Sequence, residues 1–306
     1  MLPKSRPQAA PRPPAAVPFL SARARAWRAL ARDRLALAGG VGVLAFLALA
    51  VLAPVLAPYD PTFQHPDGLS ALGAPRGPDR LFLLGTDLLG RDLLSRVIWG
   101  ARISLAVGVV STAVALAAAA VVGLAAGYLP GAPRTVLLWV INAVLSVPSL
   151  LLMLALVAVL PRGLWVVVVV LTAVAWAYPA RVIYGEVLSV TRRDFVDAAR
   201  AIGAGPLRVV GRHVLPQLLP LLVVYFTLRV PATILAEASL SFLGLGVPPP
   251  APSWGAIIHD GARAYRSAPW IFLFPGATVA TAVVSFNLLG DGLRDAFDPT
   301  RGGRGR

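Results

Sequence analysis

Arg192 to Pro220 reads RRDFVDAARAIGAGPLRVVGRHVLPQLLP, a charged, helix-forming segment set between two long apolar runs. Asp194 can cap a short helix, and Asp197 falls in its first turn, where an acidic side chain meets the positive end of the backbone dipole. Phe195, Ala198, Ala199 and Ile202 then share one face at helical spacing. Gly203 ends the helix, and Gly205-Pro206 restarts the chain as a second helix with proline in its first turn. The spacing therefore predicts a helix-turn-helix with a small-residue apolar stripe at a membrane surface, free to dock into a groove. A solvated basic loop carrying Arg192, Arg193, Arg200, Arg208 and Arg212 would explain the charge. It leaves the Ala-Ala pair, the glycine and the Leu215-Pro216 step without a role.

The flanking runs settle the class. The chain is 57% hydrophobic and only 14% charged, far from the balance of a soluble domain. Six apolar spans can be drawn, at Leu35–Ala57, Ile103–Leu129, Val136–Leu160, Leu164–Tyr184, Leu215–Leu235 and Trp270–Leu289. Each is near the roughly 20 residues that a helix needs to cross the hydrocarbon. Backbone polar groups cannot stay unpaired in lipid, so these spans are helices and both termini lie on one side.

A net charge of +14 raises the question of nucleic acid, and its distribution answers it. With the N-terminus inside, the cytoplasmic segments hold 19 of the 28 Lys and Arg, against 8 outside and one, Arg229, within a span. That is the positive-inside bias of a membrane protein, with no signal for nucleic acid. The Arg- and Pro-rich head has no acidic residue before Asp33 and reads as disordered, its charge meeting anionic lipid. Lys4 is the only lysine, so no phosphate loop ending in Gly-Lys can form, and ATP hydrolysis by that route is excluded. With no cysteine and only His65, His213 and His259, neither a thiolate site nor a histidine-rich metal site is supported. No histidine is placed to activate a serine.

At this point the opening segment resembles the EAA loop of type-I ABC importer permeases. Asp197-Ala198-Ala199, Gly203 and Leu215-Pro216 match that pattern, while Asp197 stands for Glu and His213 for Ile. Three further stretches resemble the C-type permease subunit of dipeptide, oligopeptide and nickel importers: LGTDLLGRDLLSRVIWGARISL (Leu84 to Leu105), ILAEASLSFLGLGVPPPAPSWG (Ile234 to Gly255) and FNLLGDGLRDAFDP (Phe286 to Pro299). Together they cover nearly everything from Leu35 to Pro299.

The resemblance implies an all-α, six-span, MetI-like permease of the bacterial inner membrane, multi-pass, with both termini cytoplasmic. Its organisation is expected to be a basic N-terminus over residues 1–34, a first span with an extracytoplasmic amphipathic segment over 35–100, a permease domain over 101–290 containing the coupling loop 192–216, and a cytoplasmic tail over 291–306. It implies a non-catalytic subunit without cofactor that pairs with a homologous permease, and two cytoplasmic ATPases that use ATP and Mg. An extracytoplasmic solute-binding protein would deliver peptide as cargo, with nickel or glutathione as alternatives. Asp194, Phe195, Asp197, Ala198, Ala199, Ile202, Gly203 and Pro206 would carry the coupling to the ATPases.

The residues themselves add two candidate sites. Arg229 and Glu237 are ionisable groups in or at the end of an apolar span, a position that faces a cavity or a partner helix. Eight residues apart, they share broadly one face and could line the path of a zwitterionic peptide or pair structurally. Asp87, Arg91 and Asp92, kept wet beside a membrane-facing run of leucines, and Trp254, anchored at the interface behind Pro248-Pro249-Pro250, are candidates for docking the binding protein. Gly85 to Asp92 reads first as a structural interfacial loop, ahead of a direct substrate contact. Pro216, Pro220 and Pro231 suit a kinked helix beside a polar path, and Ala115, Ala117 to Ala120, Gly123 and Gly127 suit close helix packing. A secondary transporter or channel would account for the spans and leave the coupling segment unused, and no inverted repeat supports it. A membrane scaffold without a path is the remaining alternative.

Overall fold

The computed structural model describes residues 30–297, and every regular element among them is helical. α1 spans Arg34–Val51, α2 Leu93–Tyr128, α3 Ala132–Leu145, α4 Ser149–Val159, α5 Leu164–Ala175, α6 Ala177–Val190 and α7 Asp194–Ala201. The chain continues as α8 over Pro206–Phe242, α9 over Trp254–Arg263 and α10 over Trp270–Phe297. Five stretches are long and apolar enough to cross a membrane, and α3 with α4 make a sixth if that bent pair is one span. Of the head expected to be disordered over 1–34, residues 1–29 lie outside the described residues, as do 298–306 of the tail, whereas Asp33 caps and Arg34 begins α1.

Several span boundaries differ from the hydropathy reading. The second span starts at Leu93, ten residues before the apolar run, because the Asp92 carboxylate caps it by accepting from the Ser95 amide at 2.8 Å. The third span is not one helix but two, bent by 87° between Leu145 and Ser149. Pro148 supplies no amide proton and disfavours the helical conformation at Val147, so the helix stops and restarts in a new direction. The fifth span starts earlier than Leu215, because α8 runs unbroken from Pro206 and absorbs Leu215-Pro216 after a π-helical turn at Val210–Val214.

In lipid the tails are as apolar as leucine, so helices associate by close packing and not by escape from water. α2 is the central element, and its small residues meet neighbouring helices closely. A Cβ on Gly123 would stand 2.7 Å from the Ala180 carbonyl oxygen of α6, and one on Gly108 would stand 2.6 Å from Ile234 of α8. Ala115 and Ala119 are buried on the same helix. On the opposite side a Cβ at Gly39 of α1 would come 2.7 Å from the Ser285 carbonyl oxygen of α10. α1 lies on the outside, with Val41 and Leu44 each 67% exposed, as suits a helix turned toward acyl chains.

Candidate functional site

α7 has the size and charge pattern read from its sequence, with Asp194 and Asp197 both in its first turn. Asp194 does not cap it. Arg193 occupies the cap position with extended backbone, no side chain accepts from the first-turn amides, and Asp194 is already helical. Asp197 instead pairs with Arg200 at 3.2 Å, and the Arg200 guanidinium lies 5.8 Å from the Tyr128 ring centroid.

The end of α7 is set by Gly203 at φ +85°, a left-handed conformation open to glycine. Gly203 N donates to the Arg200 carbonyl at 2.9 Å and Ala204 N to the Ala199 carbonyl at 3.0 Å, the paired closure of a Schellman motif. Gly205 and Pro206 then start α8. The four-residue stripe read from the spacing is divided in two. Ala199 turns inward with Val196 into a core shared with Val190, Val209 and Val214, whereas Phe195, Ala198 and Ile202 face out. The inner side holds the segment on the spans. The outer side, where Ile202 is 86% and Leu207 90% exposed, is an apolar surface on a charged background. Leu207 was not singled out in the sequence, and only its place one turn past Gly203 could have suggested it.

α8 carries a polar residue at every fourth position, Tyr225, Arg229, Thr233, Glu237 and Ser241. Steps of four drift by about 40° each on a helix, so the ladder winds from a half-exposed face inward. Arg229 and Glu237 consequently face different surroundings. The Arg229 guanidinium lies 4.6 Å over the Tyr178 ring of α6. Glu237 is fully buried, accepting from Ser241 Oγ at 2.7 Å and Ser104 Oγ at 3.2 Å. Ser104 Oγ also accepts from the Trp254 amide at 3.1 Å, and Ser241 lies 3.3 Å from Ser253, the cap of α9. Glu237 thus knots α2, α8 and α9. The serines missed by sequence reasoning had one available signal, the four-residue spacing of Glu237 and Ser241.

The segment before α2 is also an interior structure. Asp87 Oδ1 accepts from the Leu89 and Arg91 amides at 2.9 and 3.0 Å, and its Oδ2 pairs with Arg91 Nε at 2.7 Å and Arg96 Nε at 3.2 Å. Asp260 of α9 stands 4.0 Å from Arg91 and 3.9 Å from Arg96. Asp87, Arg91, Asp92 and Arg96 are buried, not wet as the amphipathic reading had them, because the carboxylates turn inward to cap amides and neutralise guanidiniums. Trp254 is fully buried rather than interfacial, stacked edge-on to Phe46 at 5.9 Å. These four candidate docking residues are therefore unavailable to a docked protein in this conformation. Nearer the surface, the Phe82 amide donates to Asp79 at 2.7 Å and holds its carboxyl below the ordinary carboxylate range.

Comparison with known proteins follows the same lines. Residues 119–302 match the family of binding-protein-dependent transport system inner membrane components, and residues 21–75 match the N-terminal transmembrane domain of oligopeptide transport permease C. The chain is 41% identical to the di/tripeptide transport system permease of Pseudomonas aeruginosa (strain UCBPP-PA14), over 89% of this chain and 90% of that one. It is 38% identical to the glutathione transport system permease of Pectobacterium atrosepticum, over 89% of each. It is 35% identical to the oligopeptide transport system permease of Bacillus subtilis, over 87% and 86%. In fold it resembles the methionine ABC transporter MetNI in an inward-facing conformation, with a TM-score of 0.55 at 22% identity, over 67% of this chain and 97% of that one.

Proposed function

The chain belongs to the family of binding-protein-dependent transport system inner membrane components and is a non-catalytic, multi-pass permease subunit of an ABC importer; from that premise we propose that its cargo is short peptide. The peptide permeases of Pseudomonas aeruginosa and Bacillus subtilis support this reading, and the glutathione permease, whose cargo is itself a tripeptide, is compatible with it. In our reading the chain pairs with a homologous permease to enclose one path, two cytoplasmic ATPases supply ATP hydrolysis with Mg, and an extracytoplasmic binding protein delivers the peptide. Both termini are cytoplasmic, as the 19-to-8 division of Lys and Arg favours.

The observation that carries the coupling assignment is the split face of α7. Val196 and Ala199 fasten the segment to the spans, leaving Ile202 and Leu207 bare at 86% and 90% exposure. Apolar side chains left bare on a charged background beside a fixed helix support an interaction site there. Asp194, Phe195, Asp197, Ala198, Gly203 and Pro206 shape and rim the surface, and the ATPase groove is the partner proposed for it. In this reading residues 101–290 form the permease proper.

The test is reconstitution of the chain with its companion permease, ATPases and binding protein in proteoliposomes. Trialanine should enter only when ATP and Mg are supplied on the side that carries the α7 segment, and the isolated chain should hydrolyse no ATP. Uptake by the isolated chain, or failure of the complete set to move trialanine while it moves nickel, would overturn the proposal.

A further inference from the structure

Arg229 lies near the middle of Pro206–Phe242, and Tyr178 near the middle of Leu164–Val190, so their contact is deep between the two membrane surfaces. A full positive charge there is expensive unless it faces water, an anion or a partner. Among the described residues no carboxylate comes within ion-pair distance of Arg229; the pairs formed elsewhere are Arg76 with Asp79, Arg91 and Arg96 with Asp87 and Asp260, and Arg200 with Asp197. Glu237, two turns along α8, is held by Ser104 and Ser241. What Arg229 has instead is the face of Tyr178 at 4.6 Å. A stacked guanidinium keeps its edge donors free in a fixed plane, the geometry that matches both oxygens of a carboxylate.

Tyr225, one turn toward the N-terminal end of α8, lies beside Tyr178. Tyr178 is 50% exposed and Arg229 half-buried, so the pair lies at the surface of this chain and is not sealed in its own packing. Lipid phosphates lie beyond the hydrocarbon, more than about 15 Å from the bilayer midplane, out of reach of a side chain at this depth. The one anionic group that every unmodified short peptide carries is its C-terminal carboxylate.

We infer that Arg229, stacked on Tyr178, forms a carboxylate station part-way along the path, which receives the C-terminus of the peptide after the binding protein releases it. The inference rests on the peptide-permease reading above. Glu237 has no part in the station, so recognition is one-ended and the amino terminus stays free.

The test uses the complete complex in proteoliposomes, with trialanine and trialanine amide, each at a concentration that saturates the binding protein. Arg229→Met should lower trialanine uptake per ATP hydrolysed by about ten-fold, the scale of one lost charge-assisted hydrogen-bonded pair. Arg229→Lys should retain most of it. Wild-type uptake of the amide should already be low, and Arg229→Met should reduce it no further. An equal proportional loss with both peptides overturns the inference and leaves the permease reading standing. Failure of the Arg229→Met chain to co-purify with the companion permease, when Arg229→Lys does so normally, assigns the missing carboxylate to that subunit and also overturns it. If the wild-type complex moves neither peptide, the peptide reading falls and the station falls with it.

Discussion

The Trp254 indole donates to the Val97 carbonyl oxygen at 3.0 Å, across 157 positions of sequence. The bond fixes α9 on the N-terminal end of α2, and Ser104 Oγ adds a second tie by accepting from the Trp254 backbone amide at 3.1 Å. A segment that hydropathy reads as a surface connection is thereby the lid of the bundle's interior.

Trp254→Ala should be among the most damaging single changes outside the spans. It empties a fully buried site, a loss of about 3–5 kcal/mol. Trp254→Phe keeps much of the packing and loses the indole bond, about 1 kcal/mol. Thermal unfolding of the purified protein in detergent should rank wild type above Phe above Ala. Coincident midpoints for wild type and Ala would show that the indole does not hold α9.

Gly123→Val should disrupt the α2–α6 pairing, because its Cβ alone would meet the Ala180 carbonyl oxygen at 2.7 Å and Ile183 at 2.8 Å. Overpacking of this kind costs about 1–3 kcal/mol. A Cβ at Gly185 has no atom within 4 Å, so Gly185→Val is the matched control. Folded yield after membrane extraction should fall for the first and hold for the second.

The proposed orientation has a direct readout, since the chain has no cysteine. Leu72→Cys, at a position 96% exposed before α2, should react with an impermeant maleimide on intact cells. Ile202→Cys, at a position 86% exposed, should react only after permeabilisation. The reverse pattern would invert the topology and remove the ATPases from the α7 side.

Gly203→Val forces a β-branched residue into a left-handed backbone at φ +85°, a strain of about 1–2 kcal/mol applied at the closure of α7. Leu207→Asp places a charge on the apolar surface without touching the fold. Both variants should insert at near-normal levels and fail in ATP-driven uptake, with Leu207→Asp also losing co-purification with the ATPases. Uptake at wild-type rates in both would falsify the coupling assignment.

Legibility in the sequence followed the range of the interactions. α7, Gly203 and Pro206 were readable because helix periodicity, termination and dipole preferences act within a few residues, whereas the cap at Asp194 was misplaced by one position. The spans were readable because lipid imposes one composition on all of them. The break at Pro148 was signalled by the proline but masked by the continuous apolar run around it. Burial of Asp87, Arg91 and Asp92 was not readable, since a wet and an interior charge cluster have the same local pattern. The difference lies in Arg96 and Asp260, and Asp260 is brought close only by the fold. The same holds for Glu237, whose partner Ser104 is 133 positions away.

The unbroken course of α8 has a mechanical meaning. Its 37 residues make a rod of about 55 Å, beginning next to Gly203 and passing the Glu237 knot near its far end. A swing of about 5° at one end sweeps the other through about 5 Å. The compliant points are the π-helical turn at Val210–Val214 and the two interior prolines, Pro220 and Pro231. Because the Glu237 knot fastens the rod to α2 and α9, a tilt that starts beside Gly203 reaches the far end to the extent that those compliant points stay stiff.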